Sequence, residues 1–160
     1  MSIFIGMRID DESVGVLYEW YKWCAKNCNS FHALKPQFIY IPVVYSPSQK
    51  LDEEVLKKEL LQGPINMPVE LTNVKIESLG EHGNISLVFE SDVLRQRYNF
   101  WTRQDRRLKN GSYKPRIPMS HNSRLHYPGW LSNLPIREVT LINEFSMEFN
   151  RKEFLEQASA

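Results

Sequence analysis

The sequence predicts an α+β fold made of two lobes that face each other. Three observations carry this reading. Stretches with strand alternation recur along the chain, separated by amphipathic helical stretches. Their order reads strand, helix, strand, short helix, strand, strand, helix, strand, strand. Each half also holds a long helix followed by a strand with an Ile-Pro step. These steps are Tyr40-Ile41-Pro42-Val43 and Arg116-Ile117-Pro118-Met119, about half the chain apart.

The elements follow in order. Over Ser2–Asp10, Ile3, Ile5, Met7 and Ile9 alternate with Phe4, Gly6 and Arg8, which predicts a strand. Asp10 and Asp11 offer an N-cap with Glu12 in the first turn. Val14, Leu17, Tyr21, Cys24 and Cys28 then recur at spacings of three and four, a helix running to about Asn27. Gln37–Tyr45 reads as the second strand, stopped at Ser46-Pro47-Ser48, and Asp52–Leu61 as a short charged helix. Val69–Ser78 and Asn84–Glu90 read as a hairpin around Gly80–Gly83. Ser91 caps a helix over Asp92–Leu108 with Leu94, Tyr98, Trp101 and Leu108 as its buried stripe. Lys114–Ser120 and Glu138–Phe149 are the last strands, with a loop over His121–Leu134 between them and a short helix or tail over Arg151–Ala160.

Composition bounds the function. The 160 residues suffice for a single bilobal domain, and 42% hydrophobic content argues against disorder. Twenty Lys+Arg against nineteen Asp+Glu leave a formal charge of +1, which argues against a surface given over wholly to nucleic acid. No apolar run approaches the roughly 18–20 residues of a membrane helix, and the N-terminus lacks a basic n-region with a cleavage site. A cytoplasmic protein with no membrane partner is expected. Cys24 and Cys28 share one helix face and read as core thiols rather than as a disulfide framework. The ligand spacing of a metal site is absent, as are a dinucleotide fingerprint, a P-loop and a nucleophile elbow, so neither metal nor cofactor is expected.

Local wording adds to this pattern. The opening strand Phe4-Ile5-Gly6-Met7-Arg8, the stretch Val43-Val44-Tyr45-Ser46-Pro47, and Leu87-Val88-Phe89-Glu90-Ser91 leading into the second long helix stand in a telling order. Tyr113-Lys114-Pro115-Arg116-Ile117-Pro118-Met119-Ser120 is similar to a Tyr-x-Pro-His-Ile-Thr-φ-Ser motif, where φ is apolar. Over most of its length the chain resembles the two-histidine (2H) phosphoesterases, and within them the phage anti-CBASS nucleases, which cleave cyclic oligonucleotide signals of bacterial defence. The resemblance implies two small antiparallel sheets facing a central groove with helices outside. One motif strand falls around 37–45 and the other around 114–120. It also implies a groove in which one histidine takes a proton, the other gives one, and threonine hydroxyls hold the phosphate.

Both motifs depart from that pattern in parallel. Tyr40 and Arg116 stand at the histidine positions, and Pro42 and Pro118 at the threonine positions. Residues two apart on a strand share a face, so each pair points together. Arginine, with a pKa above about 12, does not cycle its proton. Tyrosine, with a pKa of about 10, is a poor base at neutral pH. Proline offers neither a hydroxyl nor an N–H. No catalytic residue is therefore assigned, and the enzyme reading leans to inactive.

Binding chemistry remains. Arg116 can grip a phosphate with its fork, and Tyr40 can donate one hydrogen bond or stack a base. Lys114, His121 and Trp130 are further candidate ligand contacts. The segment Arg95–Arg116 is rich in basic residues interleaved with Tyr98, Phe100, Trp101 and Tyr113. That mixture suits a nucleotide or single-stranded RNA, and equally a solvated helix face with its aromatics in the core. Proline in a strand marks an edge or a bulge, so the two Ile-Pro steps also read as a change of packing. The reading is an inactive 2H-like protein, phage-encoded and at work in the host cytoplasm. Its groove binds a nucleotide, cyclic oligonucleotide or short RNA, as in sequestering a defence signal. One alternative is a protein-interaction or structural module, alone or as a homo-oligomer. Another is a phosphodiesterase with residues relocated near His121.

Overall fold

The computed structural model describes residues 2–27, 31–46, 53–60, 65–79, 84–108, 112–120 and 134–149. Seven strands and three α-helices lie among them. These are β1 (Ser2–Ile9), α1 (Asp11–Asn27), β2 (Tyr40–Ser46), α2 (Glu53–Leu60), β3 (Met67–Glu70), β4 (Thr72–Leu79), β5 (Asn84–Glu90), α3 (Asp92–Gln104), β6 (Arg116–Ser120) and β7 (Glu138–Phe149). The expected α+β class and the two antiparallel sheets are present. The sheets run β2-β1-β7-β3 and β4-β5-β6. The lobes are thus not the two halves of the chain, because β7 returns to pair with β1 along its whole length.

Beyond single-residue shifts, boundaries differ from the sequence expectation at four places, the simplest being β6, which begins at Arg116 and not at Lys114. Pro36 opens a 3-10 turn over Pro36–Phe38, which delays β2 to Tyr40. The single strand expected over Val69–Ser78 is two. Leu71 still donates its N–H to Arg137 O at 2.8 Å, while Thr72 already pairs with Glu90. The chain changes sheets there without glycine or proline to mark it. The second long helix stops at Gln104, where extended Asp105 donates its N–H back to Trp101 O. A 3-10 turn over Arg106–Leu108 then carries Leu108 into the core.

The core follows strand alternation. Ile5, Met7 and Ile9 of β1, Ile41 and Val43 of β2, and Val139 and Leu141 of β7 are buried with Leu17, Trp20, Tyr21 and Cys24 of α1. Cys24 is a buried thiol, as expected. Cys28, the Gly80–Gly83 turn and the tail over Arg151–Ala160 lie outside the described residues. Each long helix sends a hydrogen bond to the sheet it did not come from. Tyr21 of α1 donates its hydroxyl to Pro118 O on β6 at 2.9 Å. Arg97 and Trp101 of α3 both bond the buried carboxylate of Glu144 on β7. Met7 pairs with Glu144 across β1 and β7 and shares its face. α3 therefore covers the face of the four-stranded sheet opposite Tyr40, which leaves the helix outside and the Tyr40 face toward the groove.

The interleaved aromatics of the basic segment are largely core. Tyr98, Trp101 and Tyr113 are buried, and Phe100 is half-buried. The solvated-face reading is the one that holds for the outer side of α3. No helix among the described residues is long and apolar enough to cross a membrane.

Candidate inter-lobe site

β2 and β6 are edge strands of their sheets, and they meet at the lobe junction. This settles how the two prolines are tolerated. Pro42 pairs with Gly6 of β1, and its carbonyl accepts the Tyr113 hydroxyl at 2.6 Å. Pro118 pairs with Ser86 of β5, and its carbonyl accepts the Tyr21 hydroxyl. In an antiparallel pair a residue's nitrogen and carbonyl point to the same side. Each proline nitrogen thus lies on the outer side, and its missing N–H removes no ladder bond. The N–H groups of His32 and Leu34 further bind β6 to the approach of β2, through Ser120 Oγ at 3.1 Å and Met119 O at 3.0 Å.

The first motif position is closed in by aromatics. Phe4, Gly6 and Arg8 line the same face of β1 as Tyr40 does of β2, because Arg8 pairs with Tyr40. The Tyr40 ring lies 5.1 Å from Phe4 and 5.7 Å from Phe145, centroid to centroid, and its residue is only 6% exposed. Arg8, itself exposed, stacks over Phe145 at 4.3 Å. The Tyr40 ring, expected from the sequence to donate a hydrogen bond or stack a base, packs here against Phe4 and Phe145. Its hydroxyl has no hydrogen-bond partner among the described residues. Burial pushes the phenol up to about 12, against the opposing pull of the Arg116 guanidinium. At neutral pH Tyr40 is a donor and not a base.

The second motif position is cationic. Arg116 is half-buried on the face shared with Pro118 and pairs with Val88 of β5. Its guanidinium donates to Lys114 O at 3.3 Å and has no carboxylate partner among the described residues. Burial lowers its pKa, while Tyr113 and Tyr40 oppose the fall. The fold thus brings Tyr40 and Arg116 within electrostatic reach of each other. Lys114 is exposed and already held by Glu77 at 3.0 Å, so it stands at the rim as half of an ion pair. His121 and Trp130 lie outside the described residues. No cluster of three metal-ligating side chains occurs among the described residues.

Sequence reasoning missed Phe4, Arg8 and Phe145 as the surroundings of Tyr40. Their even-odd register on β1 carried the signal for Phe4 and Arg8, which alternate away from the core residues. It missed as well the two tyrosine hydroxyls on the proline carbonyls, for which the sequence holds no local signal.

No protein-family model matches the chain, and no curated protein does. Solved structures share its fold. E. coli LigT without ligand superposes with a TM-score of 0.64 at 13% identity, over 94% of this chain and 89% of that one. A protein described as a phosphoesterase gives 0.63 at 11% identity, over 93% and 89%. TT0787 of Thermus thermophilus gives 0.59 at 10% identity, over 92% and 85%. E. coli LigT has also been solved with 3'-AMP, with ATP and with NADP+.

Proposed function

We propose that this chain, built on the LigT-like 2H phosphoesterase fold, binds a phosphate-bearing nucleotide between its lobes and does not hydrolyse it. The observation that carries the reading is Arg116, a half-buried guanidinium without a carboxylate partner among the described residues, within electrostatic reach of Tyr40, whose hydroxyl has no hydrogen-bond partner among those residues either. Both groups donate hydrogen bonds, and anionic phosphate oxygens accept them. Neither exchanges a proton at neutral pH, so the acid–base cycle of a two-histidine groove has no carrier at these positions. That LigT holds 3'-AMP, ATP and NADP+ on the same fold supports the ligand class.

The finer role in this proposal is sequestration of a cyclic oligonucleotide defence signal by a phage-encoded protein in the host cytoplasm. It rests on the motif wording around Tyr113–Ser120. Calorimetry against 3'-AMP, ATP, NADP+ and a panel of cyclic oligonucleotides and short RNAs tests it. Expected are saturable binding, full recovery of intact ligand, and loss of binding in Arg116→Ala. No binding across the panel would overturn it, as would turnover that His121→Ala abolishes.

A second reading, an interaction module, draws on Val16 and Trp23, which stand 39% and 50% exposed on α1. It expects an oligomer by light scattering or a co-purifying protein. A clean monomer without a partner would count against it.

A further inference from the structure

We propose a second ligand site on the outer side of the four-stranded sheet, which takes a small apolar molecule carrying one protonated amine. A cavity of about 310 Å³ lies between α2, α3 and the face of β1 and β7 that carries Met7 and Glu144. Its volume is at the lower end of small-molecule pockets, roughly 300–1,000 Å³. Leu60, Leu94, Met67 and Phe100 give it apolar walls. Ile65 and Val93 also line it, and they remain 47% and 39% exposed.

Charge selects the headgroup. Among the described residues that line the cavity, the charged ones are Glu59, Arg97 and Glu144. Glu144 is buried and fully engaged. One of its oxygens accepts the Trp101 indole N–H at 2.8 Å, and the other accepts Nε and Nη2 of Arg97. Arg97 directs its remaining Nη1 to Glu59 at 3.5 Å, the outer limit of a hydrogen bond, and lays its face on the Phe100 ring at 4.5 Å. Two carboxylates against one guanidinium leave one net negative charge. Glu59, with its side chain 21% exposed, keeps an oxygen without a partner among the described residues. An anionic ligand would meet this charge unfavourably. A neutral apolar ligand would leave the Glu59 oxygen desolvated and unpaired. An alkylammonium satisfies both the walls and the carboxylate. The site is independent of the inter-lobe groove, since it lies on the other face of the sheet.

Hexylammonium, hexanol and hexanoate, titrated into the full chain, test the proposal. The Trp101 indole N–H resonance reports on the cavity through its bond to Glu144. Hexylammonium is expected to shift it saturably, at least tenfold more tightly than hexanol, and hexanoate not at all. Glu59→Gln should weaken hexylammonium at least tenfold. Val93→Phe, an exposed position at the opening, should block it without lowering the melting temperature of the free protein. Arg116→Ala should leave it unchanged. No saturable shift would overturn the site. Equal affinity for hexanol and hexylammonium, or undiminished binding in Glu59→Gln, would overturn the amine.

Discussion

The Tyr113 hydroxyl donates to the carbonyl of Pro42, 2.6 Å away on the edge strand of the other sheet. Tyr21 does the same for Pro118 in the opposite sense. β2 and β6 each present an edge carbonyl at the lobe junction, the one of Pro42 buried and the one of Pro118 partly so, and each finds a tyrosine from the other side. The two bonds tie the lobes by groups whose loss leaves a buried acceptor unpaired.

Tyr113→Phe is accordingly expected to destabilise the protein by about 1–3 kcal/mol, the cost of stranding a buried polar group. Tyr21→Phe should act in the same range. Urea unfolding measures both. A loss under about 0.5 kcal/mol for each, within the range of ordinary surface substitutions, would show that solvent reaches these carbonyls and that the bonds do not tie the lobes.

Tyr40 makes stability depend on alkaline pH. Burial holds its phenol protonated in the fold up to about 12, whereas in the unfolded chain it titrates at about 10. Between those values the unfolded chain has lost a proton that the folded chain keeps. The contribution is fully present below about pH 10 and is lost as pH rises through about 12. It amounts to about 2–3 kcal/mol, at about 1.4 kcal/mol for each pH interval of one between the two values. Burial raises Tyr21 and Tyr113 as well, so both add to the same slope above about pH 10 and carry the loss to higher pH. Denaturant melts from about pH 9 to about pH 12 should show this slope, and Tyr40→Phe should reduce it by about a third, the share of one of the three buried phenols. An unchanged slope in that variant would assign the effect to other groups.

Gly6 is where β1 lets the Tyr40 cluster close. A Cβ at this position would stand 2.8 Å from Phe4 Cε1 and 3.1 Å from Ile41 O. Gly6→Ala should cost about 1–3 kcal/mol through overpacking. Because the nearest atom belongs to the Phe4 ring, adding Phe4→Leu should recover part of that loss. Thermal melts of the single and double variants decide it. A double variant that loses the full sum of the singles would place the clash on the backbone of Ile41 instead.

Much of this was legible in the residues themselves. Alternation over Ser2–Asp10 and the three-four spacing from Val14 to Cys24 gave β1 and α1 because a single face is buried in each. The parallel Ile-Pro steps fall on β2 and β6, the two edge strands that meet at the lobe junction. What stayed hidden depends on partners distant in sequence. Nothing near Leu71 marks the passage between sheets, because the switch is made by hydrogen bonds to Arg137 on one side and Glu90 on the other. The basic run over Arg95–Arg116 does not reveal that Arg97 is engaged by Glu144, nor that Arg116 has no carboxylate partner among the described residues. Local charge counts do not resolve which cation is paired, since its partner sits 47 residues away on β7.

Arg116 separates binding from stability, and this is the sharpest test of the groove. A half-buried guanidinium bears a desolvation cost that no carboxylate among the described residues offsets. A residue kept for folding would lower the melting temperature when removed. A residue kept for a ligand would not. Arg116→Met retains the length of the side chain, and it is expected to leave the free protein as stable as before or up to about 1 kcal/mol more so. The same substitution should weaken 3'-AMP at least tenfold by calorimetry. Saturating 3'-AMP should raise the melting temperature of the unsubstituted chain and not that of the variant, because a ligand stabilises only the state it binds. Arg116→Lys should fall between, since an ammonium keeps the charge without the two-pronged geometry. If Arg116→Met destabilises the free protein and leaves 3'-AMP affinity intact, the guanidinium belongs to the architecture and the phosphate is held elsewhere.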